Sequence, residues 1–329
     1  MNMSTKVKMS KEACYNCKSS HVFVYHEGTR DDPSRRVLKC RECELVFLDN
    51  IPSQELLNEY YKEEYRKKFN SDANKNVAEA PEDNFSNKLP IHQERFNRLE
   101  HLFQKNQSVL EIGCGSGAFL SVIKDHVKKC SGVDLNERYV QFMREKLDLT
   151  GKVYSQHVEK VKFQEKFDVI CLFHVFEHIA DPIAFLRHLN ELLTESGFLI
   201  IEVPHVNDAL VSIYESAAFK RNYFNSPHLY YYSEKTLGTI GKKAGFKCEY
   251  LPLNEYGLLN HLCWILLGKP ITGTRSEGRL FKLPTENVGL PGIDLVQPFF
   301  DKINQEYKTY LEKQGCFDTL ISIMKRYNK

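Results

Sequence analysis

The stretch SVLEIGCGSGAFL, Ser108 to Leu120, restricts the fold of this chain more than any other. An apolar run carrying one acid, Glu111, passes into three glycines at alternate positions, Gly113, Gly115 and Gly117, with Cys114 between the first two. A helical pattern, FLSVIKDHV, follows at once. Glycine at a strand-to-helix turn lets the backbone bend closely against a ligand, and such a turn opens a βαβ unit. The alternation continues on both sides. IHQERFNRLEHLF reads as a helix before the turn. After it come strand KCSGVDL, helix ERYVQFMREKL, strand-like VYSQHVE, strand KFDVICLF, helix DPIAFLRHLNELL and strand SGFLIIEVP. Asp181 can cap the last helix, Pro182 suits its first turn, and Ile183, Leu186, Leu189 and Leu193 recur at helical spacing. The expected fold class is α/β, a doubly wound and mainly parallel sheet.

Ligands of such sheets bind beyond the carboxyl ends of the strands, and three stretches fall there. The first is the glycine turn. The second is Asp134, which ends the second strand 21 residues after Gly113; a carboxylate there can accept both hydroxyls of a ribose. The third is FHVFEHIADP, Phe173 to Pro182. His174, Glu177 and His178 stand at i, i+3 and i+4, so one helical turn would put them on one face. They suit a catalytic base, a metal site or the satisfied end of a strand. GCGSGA also meets the dinucleotide pattern G-x-G-x-x-A, with an acid about 20 residues on, so a dehydrogenase or epimerase shares these glycines.

Four of the ten cysteines are paired as CYNC (Cys14, Cys17) and CREC (Cys40, Cys43), with 22 residues between the pairs. HVFVYHEG and RRVLKC read as two strands around a polar turn, GTRDDPS. Each CxxC can place two thiolates on one ion, and a hairpin brings the two together. Four thiolates suit a tetrahedral zinc in a closed structural site, whose metal would fold a segment with little core of its own. Free thiols or redox pairs are the other reading.

Residues 1–50 are therefore expected to form a zinc-ribbon module, and 51–90 a helical connector or lid in which Tyr60, Tyr61 and Tyr65 could reach a substrate cleft. Residues 91–251 would form the α/β domain, and 252–329 a mainly helical C-terminal extension. In that extension YGLLNHLCWILLGKP is apolar enough to pack on the core or to form a homodimer, TENVGLPGIDL reads as loop, and VQPFFDKINQEYKTYLEKQGCFDTLISIMKRY reads as helices. The net charge of +2 gives no bulk reason to expect nucleic acid or membrane. No apolar run approaches the ~20 residues of a membrane helix, and the N-terminus lacks a secretory core, so the expected location is cytoplasmic.

The ordered set VLEIGCGSG, GVDL, FDVICLFHVFEHIADP and LLTESGFLIIEVP closely resembles class I S-adenosylmethionine-dependent methyltransferases, over about Ile91 to Leu251. The resemblance implies a Rossmann-like fold with S-adenosylmethionine as cofactor. It places Gly113, Cys114, Gly115 and Gly117 under the methionine part, with Glu111 near its amino group. It puts Asp134 on the ribose, Leu135 over the adenine, and His157 and Val158 at the adenine amine, although many relatives carry Asp at the His157 position. Phe173 and His174 would flank the methylthio end. HVFE stands where base methylases carry D/N-P-P-aromatic, which argues against nucleic-acid bases. His178 matches a histidine proposed as base or substrate contact in sugar-modifying members, and a side chain that titrates near neutrality suits deprotonating a hydroxyl.

PHLYYYSEKTL resembles the family's substrate-cleft stretch, so His228 would face the cleft, and His205 and Asn207 after the fifth strand could do the same. Tyr230 to Tyr232 suit sheet packing or a substrate platform equally. H-x-x-E-H with His228 also resembles a divalent-metal site of some O-methyltransferases, except that His174 replaces its first acid; a second divalent ion is thus a further reading. The ribbon, tyrosine-rich connector, core and tail together resemble bacterial methyltransferases of surface-polysaccharide and nucleotide-sugar pathways. They also resemble deoxysugar C-methyltransferases, but Pro227 stands where those carry an acid before the cleft histidine, which favours oxygen over carbon as the acceptor atom. The expected reaction is methyl transfer to a sugar of a nucleotide-linked or glycan-precursor substrate, with His178 as base and His174, Glu177 and His228 as cleft partners. The alternative is a zinc-ribbon methyltransferase acting on RNA or protein. Residues 1–50 carry nine Lys/Arg against seven Asp/Glu, a poor footprint for RNA.

Overall fold

The structure, a computed structural model, describes residues 12–53, 57, 80–270 and 293–327. In chain order it opens with β1 (Val22–Glu27), β2 (Arg36–Cys40), β3 (Val46–Leu48) and α1 (Pro81–Leu99). Next come β4 (Ser108–Ile112), α2 (Ala118–Ile123), β5 (Lys129–Val133), α3 (Glu137–Lys146), β6 (Val153–Tyr154) and β7 (Phe167–Phe173). They are followed by α4 (Pro182–Leu192), β8 (Leu193–Pro204), α5 (Ala209–Ser212), α6 (Ala217–Tyr223), β9 (Tyr230–Tyr231) and α7 (Glu234–Lys243). The chain ends with β10 (Phe246–Leu253), α8 (Leu258–Leu267), α9 (Ile293–Lys313) and β11 (Thr319–Arg326).

Two compact units divide these elements. One takes Met1–Asn50, Val203–Leu237 and Tyr250–Ile321; the other takes Ile51–Glu202, Gly238–Glu249 and Ser322–Lys329. In the first unit a four-stranded sheet has the order β1-β2-β3-β9, and its pairs are antiparallel. The expected hairpin is present, with Val22 opposite Cys40. Gly28 turns it at φ +79°, where a side chain would press on Pro33. Tyr230, Tyr231 and Tyr232 are all buried, which makes them sheet packing.

A seven-stranded sheet has the order β10-β11-β8-β7-β4-β5-β6. β4 pairs in parallel with both β5 and β7, β5 with β6, and β7 with β8. β4, β5 and β7 are buried along nearly their whole length, as strands covered on both faces must be, and so read as continuous apolar runs. The chain winds outward from β4 through β5 and β6, then returns to β7 on the other side. This reversal puts the carboxyl ends of β4 and β7 side by side, the place where such sheets bind ligands.

Four local expectations change. α1 begins at Pro81 and runs through Pro90, which reads in sequence as a break before the expected start at Ile91. α2 stops at Ile123. The strand in VYSQHVE covers only Val153–Tyr154, and Val158–Lys160 form a single 3-10 turn. TLISIMKR, expected as helix, is the strand β11, in the sheet between β10 and β8. Its first six residues are all buried, and a short run covered on both faces has no period to distinguish strand from helix. Tyr60, Tyr61 and Tyr65, and residues 285–292 of the expected loop TENVGLPGIDL, lie outside the described residues, while the last three residues of that stretch, 293–295, open the helix α9. Among the described residues no helix is long and apolar enough to cross a membrane.

Asp181 caps α4 as expected, its side chain accepting the Ala184 N–H at 2.9 Å. Asp181→Ala should lower stability by about 1 kcal/mol, read from denaturant unfolding. An unchanged midpoint would show that this bond contributes nothing.

Candidate functional site

The glycine turn after β4 is strained in the way only glycine allows. Gly113, Gly115 and Gly117 have φ of +72°, +55° and +81°. A β-carbon on Gly113 would lie 2.4 Å from Val175, and one on Gly117 2.6 Å from Met143. At Gly115 it would meet nothing closer than Asn84 Oδ1 at 3.9 Å, so the turn is open there. The Gly113 N–H donates to the Val133 carbonyl at 2.7 Å, which ties the turn to the end of β5, and Cys114 is buried beneath it.

Asp134 stands just beyond β5. Its Oδ2 accepts the Gly115 N–H and its Oδ1 the Asn136 N–H, each at 2.8 Å. These bonds orient the carboxylate at the end of β5. Glu111 is buried on β4, and its Oε2 has no hydrogen-bond partner. Burial pushes its pKa up to about 8, Arg95 opposes the rise and Asp134 adds to it. An ammonium group would give this carboxylate the partner it lacks. Leu135 is half-buried and Val158 buried. His157 is half-buried, with Nε2 unbonded, and burial followed by the charge of Lys160 holds its pKa below the ordinary value. A neutral ring of this kind keeps an acceptor for an amine. The donor set thus fits S-adenosylmethionine: one acid for the ammonium, one for the ribose hydroxyls, and a glycine turn with room beside it.

The end of β7 differs from the expected helical turn. Phe173 packs edge-on against Phe119, with ring centroids 4.7 Å apart. His174 adopts φ +56°, and its N–H donates to the Glu202 carbonyl of β8 at 2.9 Å. Glu177 and His178 follow on a single 3-10 turn, Phe176–His178. The side chains still meet. His174 Nδ1 lies 3.5 Å from Glu177 Oε1, and its Nε2 lies 3.2 Å from Glu202 Oε1. His178 Nε2 is 3.9 Å from Glu177 Oε1. Burial opposes a charge on His174, but the bonds to Glu177 and Glu202 prevail and raise its pKa. With both ring nitrogens facing carboxylates, His174 is poorly placed to be a base or a metal ligand.

Arg95 and Glu202 were not singled out in the sequence. Arg95 Nε donates to Glu202 Oε2 at 2.8 Å and Nη2 to Oε1 at 2.5 Å, with both residues buried. The guanidinium lies 4.5 Å over the Phe173 ring. Burial would raise the Glu202 pKa, but the charge and hydrogen bonds of Arg95 and His174 hold it well below the carboxylate range. The available signal was an acid inside the apolar strand SGFLIIEVP.

In the other unit the four cysteines converge. Their sulfurs lie within 4.8 Å of one another, with Cys14–Cys43 and Cys17–Cys40 at 3.4 Å. A tetrahedral zinc with ~2.3 Å bonds needs sulfurs ~3.8 Å apart, so the set fits that ion. The knuckles share one backbone pattern. Lys18 N–H donates to the Cys14 carbonyl and Glu44 N–H to the Cys40 carbonyl, at 2.9 and 3.1 Å, and both residues take positive φ. His228 also belongs to this unit, half-buried, its Nδ1 3.2 Å from the Asn225 amide nitrogen. His205 departs from the expectation of a cleft residue. It is fully buried, stacked on Phe317 at 3.9 Å, with Nδ1 at the Phe317 carbonyl and Nε2 at Glu234, each 3.1 Å away. Asn207 is exposed.

Residues 66–251 match the model of a family described as a methyltransferase domain. Over 126 residues the chain is 26% identical to a ubiquinone biosynthesis O-methyltransferase of Coxiella burnetii, covering 36% of this chain and 54% of that one. Over 102 residues it is 29% identical to an (S)-tetrahydroprotoberberine N-methyltransferase of Eschscholzia californica, covering 29% of each. A solved structure of a SAM-dependent methyltransferase from Archaeoglobus fulgidus aligns at 21% identity and a TM-score of 0.46, over 74% of this chain and 97% of that one. The chain spans about half the length of the first curated relatives it matches.

Proposed function

This chain belongs to the methyltransferase-domain family, and from that membership we propose that it transfers the methyl group of S-adenosylmethionine to a hydroxyl of a nucleotide-linked sugar or glycan precursor. The observation that carries the cofactor reading is the pair of acids at the ends of β4 and β5: buried Glu111 with an unbonded oxygen, and Asp134 oriented by two backbone N–H groups. When bound, the cofactor supplies an electrophilic methyl on a positive sulfur. The chain's own part is to seat it, align the acceptor and remove a proton. Glu111 takes the ammonium and Asp134 the ribose hydroxyls. His178, backed by the Glu177 carboxylate, accepts the acceptor's proton. His228 is taken as a cleft partner from the resemblance.

A hydroxyl acceptor is supported by the name of the Coxiella burnetii relative, an O-methyltransferase. The sugar class is supported by the layout of ribbon, core and tail. The test is transfer from labelled S-adenosylmethionine to UDP-, GDP- and dTDP-linked hexoses and deoxyhexoses, with catechol alongside. Transfer to catechol alone would move the acceptor to an aromatic hydroxyl.

Asp134→Ala should weaken binding of S-adenosylhomocysteine, the demethylated cofactor, by roughly 10- to 100-fold, the usual loss when a charged hydrogen-bond acceptor is removed. Calorimetry reads this without an acceptor. Wild-type affinity in the variant would remove Asp134 from the cofactor site.

A further inference from the structure

A ladder of alternating charge runs through the interior at the ends of β7 and β8. Arg95 of α1 holds Glu202 through two hydrogen bonds, and Glu202 faces His174 Nε2. The opposite ring nitrogen of His174 faces Glu177, and Glu177 faces His178 Nε2. Glu202 restrains His174 twice, through its side chain and through the carbonyl that accepts the His174 N–H at 2.9 Å. That second bond accompanies a left-handed backbone at His174, which a residue with a β-carbon adopts only at a cost. His92 Nδ1, 2.7 Å from Arg95 Nη1, and the Phe173 ring under the guanidinium fix the first rung.

Stability alone does not explain the ladder. A buried ion pair is often no more stable than apolar side chains of the same volume, because desolvating two charges offsets their attraction. Strained backbone and buried charge gathered at one strand end point to function. Neither Arg95 nor Glu202 belongs to the acids and glycines that seat the cofactor. Both are two or more side chains away from His178.

Resting on the reading of His178 as the base, we propose that Arg95 and Glu202 are positioning residues for methyl transfer. By fixing the His174 ring they set the place of the Glu177 carboxylate, and through it the orientation of His178 toward the acceptor. Misplacing a catalytic group by about 1 Å can cost ~100-fold in rate, so a pair that touches no substrate can still govern turnover.

Removing one charge would strand the other, so the test uses double variants of the full chain. Arg95→Met/Glu202→Leu removes both charges and the acceptor for His174. Arg95→Met/Glu202→Gln removes both charges but keeps an amide oxygen for the ring. Each is assayed with labelled S-adenosylmethionine and the nucleotide-linked hexoses and deoxyhexoses, with melting curves and S-adenosylhomocysteine binding in parallel. The Leu double variant should fold and bind S-adenosylhomocysteine within about three-fold of wild type, keep KM for the sugar, and lose roughly 10- to 100-fold in kcat. The Gln double variant should recover most of that kcat. A folded Leu double variant at wild-type kcat, or a loss confined to KM or to cofactor binding, overturns the proposal. If the wild type itself transfers to no nucleotide sugar, the proposed function fails and this inference falls with it.

Discussion

His178→Ala lowers the rate of methyl transfer by about 10²- to 10⁴-fold, the usual contribution of a positioned general base, while S-adenosylhomocysteine binds as before. The expected split follows from the architecture. The cofactor-side groups, Glu111, Asp134 and the three glycines, are on and after β4 and β5, and none depends on His178. His178 stands after β7 on a single turn, its side chain only 12% exposed and 3.9 Å from a buried carboxylate. Glu177 places a carboxylate beside the ring. Glu177→Gln keeps the shape and removes the charge, so it should lower kcat in the same direction by a smaller factor. Comparable kcat in wild type and His178→Ala would remove the histidine from the chemistry, and a loss confined to KM would make it an acceptor contact.

Cys40→Ser abolishes stoichiometric zinc and opens the ribbon. Metal analysis of the wild type should give one zinc per chain held by Cys14, Cys17, Cys40 and Cys43, and Cys40→Ser should give none. The effect is large because binding and folding are the same event in such a site. Structural zinc contributes roughly 10–16 kcal/mol of apparent binding free energy in small zinc-folded peptides. Cys40 is the last residue of β2 and Leu45 just precedes β3, and the Cys40 N–H donates to the Leu45 carbonyl at 3.0 Å. Losing the metal therefore loosens both the knuckle and the adjacent strands. Thermal unfolding of Cys40→Ser, or of wild type treated with a strong chelator, should show an earlier transition that zinc restores in the wild type alone. A variant with full zinc and wild-type melting would show that the four sulfurs hold no structural ion.

The parts legible in the sequence share a cause: each is decided within a few residues. A glycine at φ near +80°, an aspartate capping the helix it precedes, and two thiolates spaced by two residues answer to local geometry. The parts that were not legible depend on distant chain. Arg95 and Glu202 are 107 positions apart, and neither type predicts burial until its partner is known. His205 looked like a cleft residue because it follows a strand, yet Phe317 and Glu234 cover both faces of its chemistry. TLISIMKR looked helical because a strand buried on both faces shows no alternation.

The sequence by itself determined the α/β order, the glycine turn with its two acids, the four-cysteine set and the polar run at the end of β7. Those are properties of backbone conformation and short-range spacing, which each segment carries with it. Only the tertiary structure decided which of the polar residues act on one another. His174 stands between two carboxylates because β8 brings Glu202 to one ring nitrogen while the turn brings Glu177 to the other. Charge pairing in a buried, low-dielectric interior is set by distance and desolvation, and neither quantity is defined until the strands are packed.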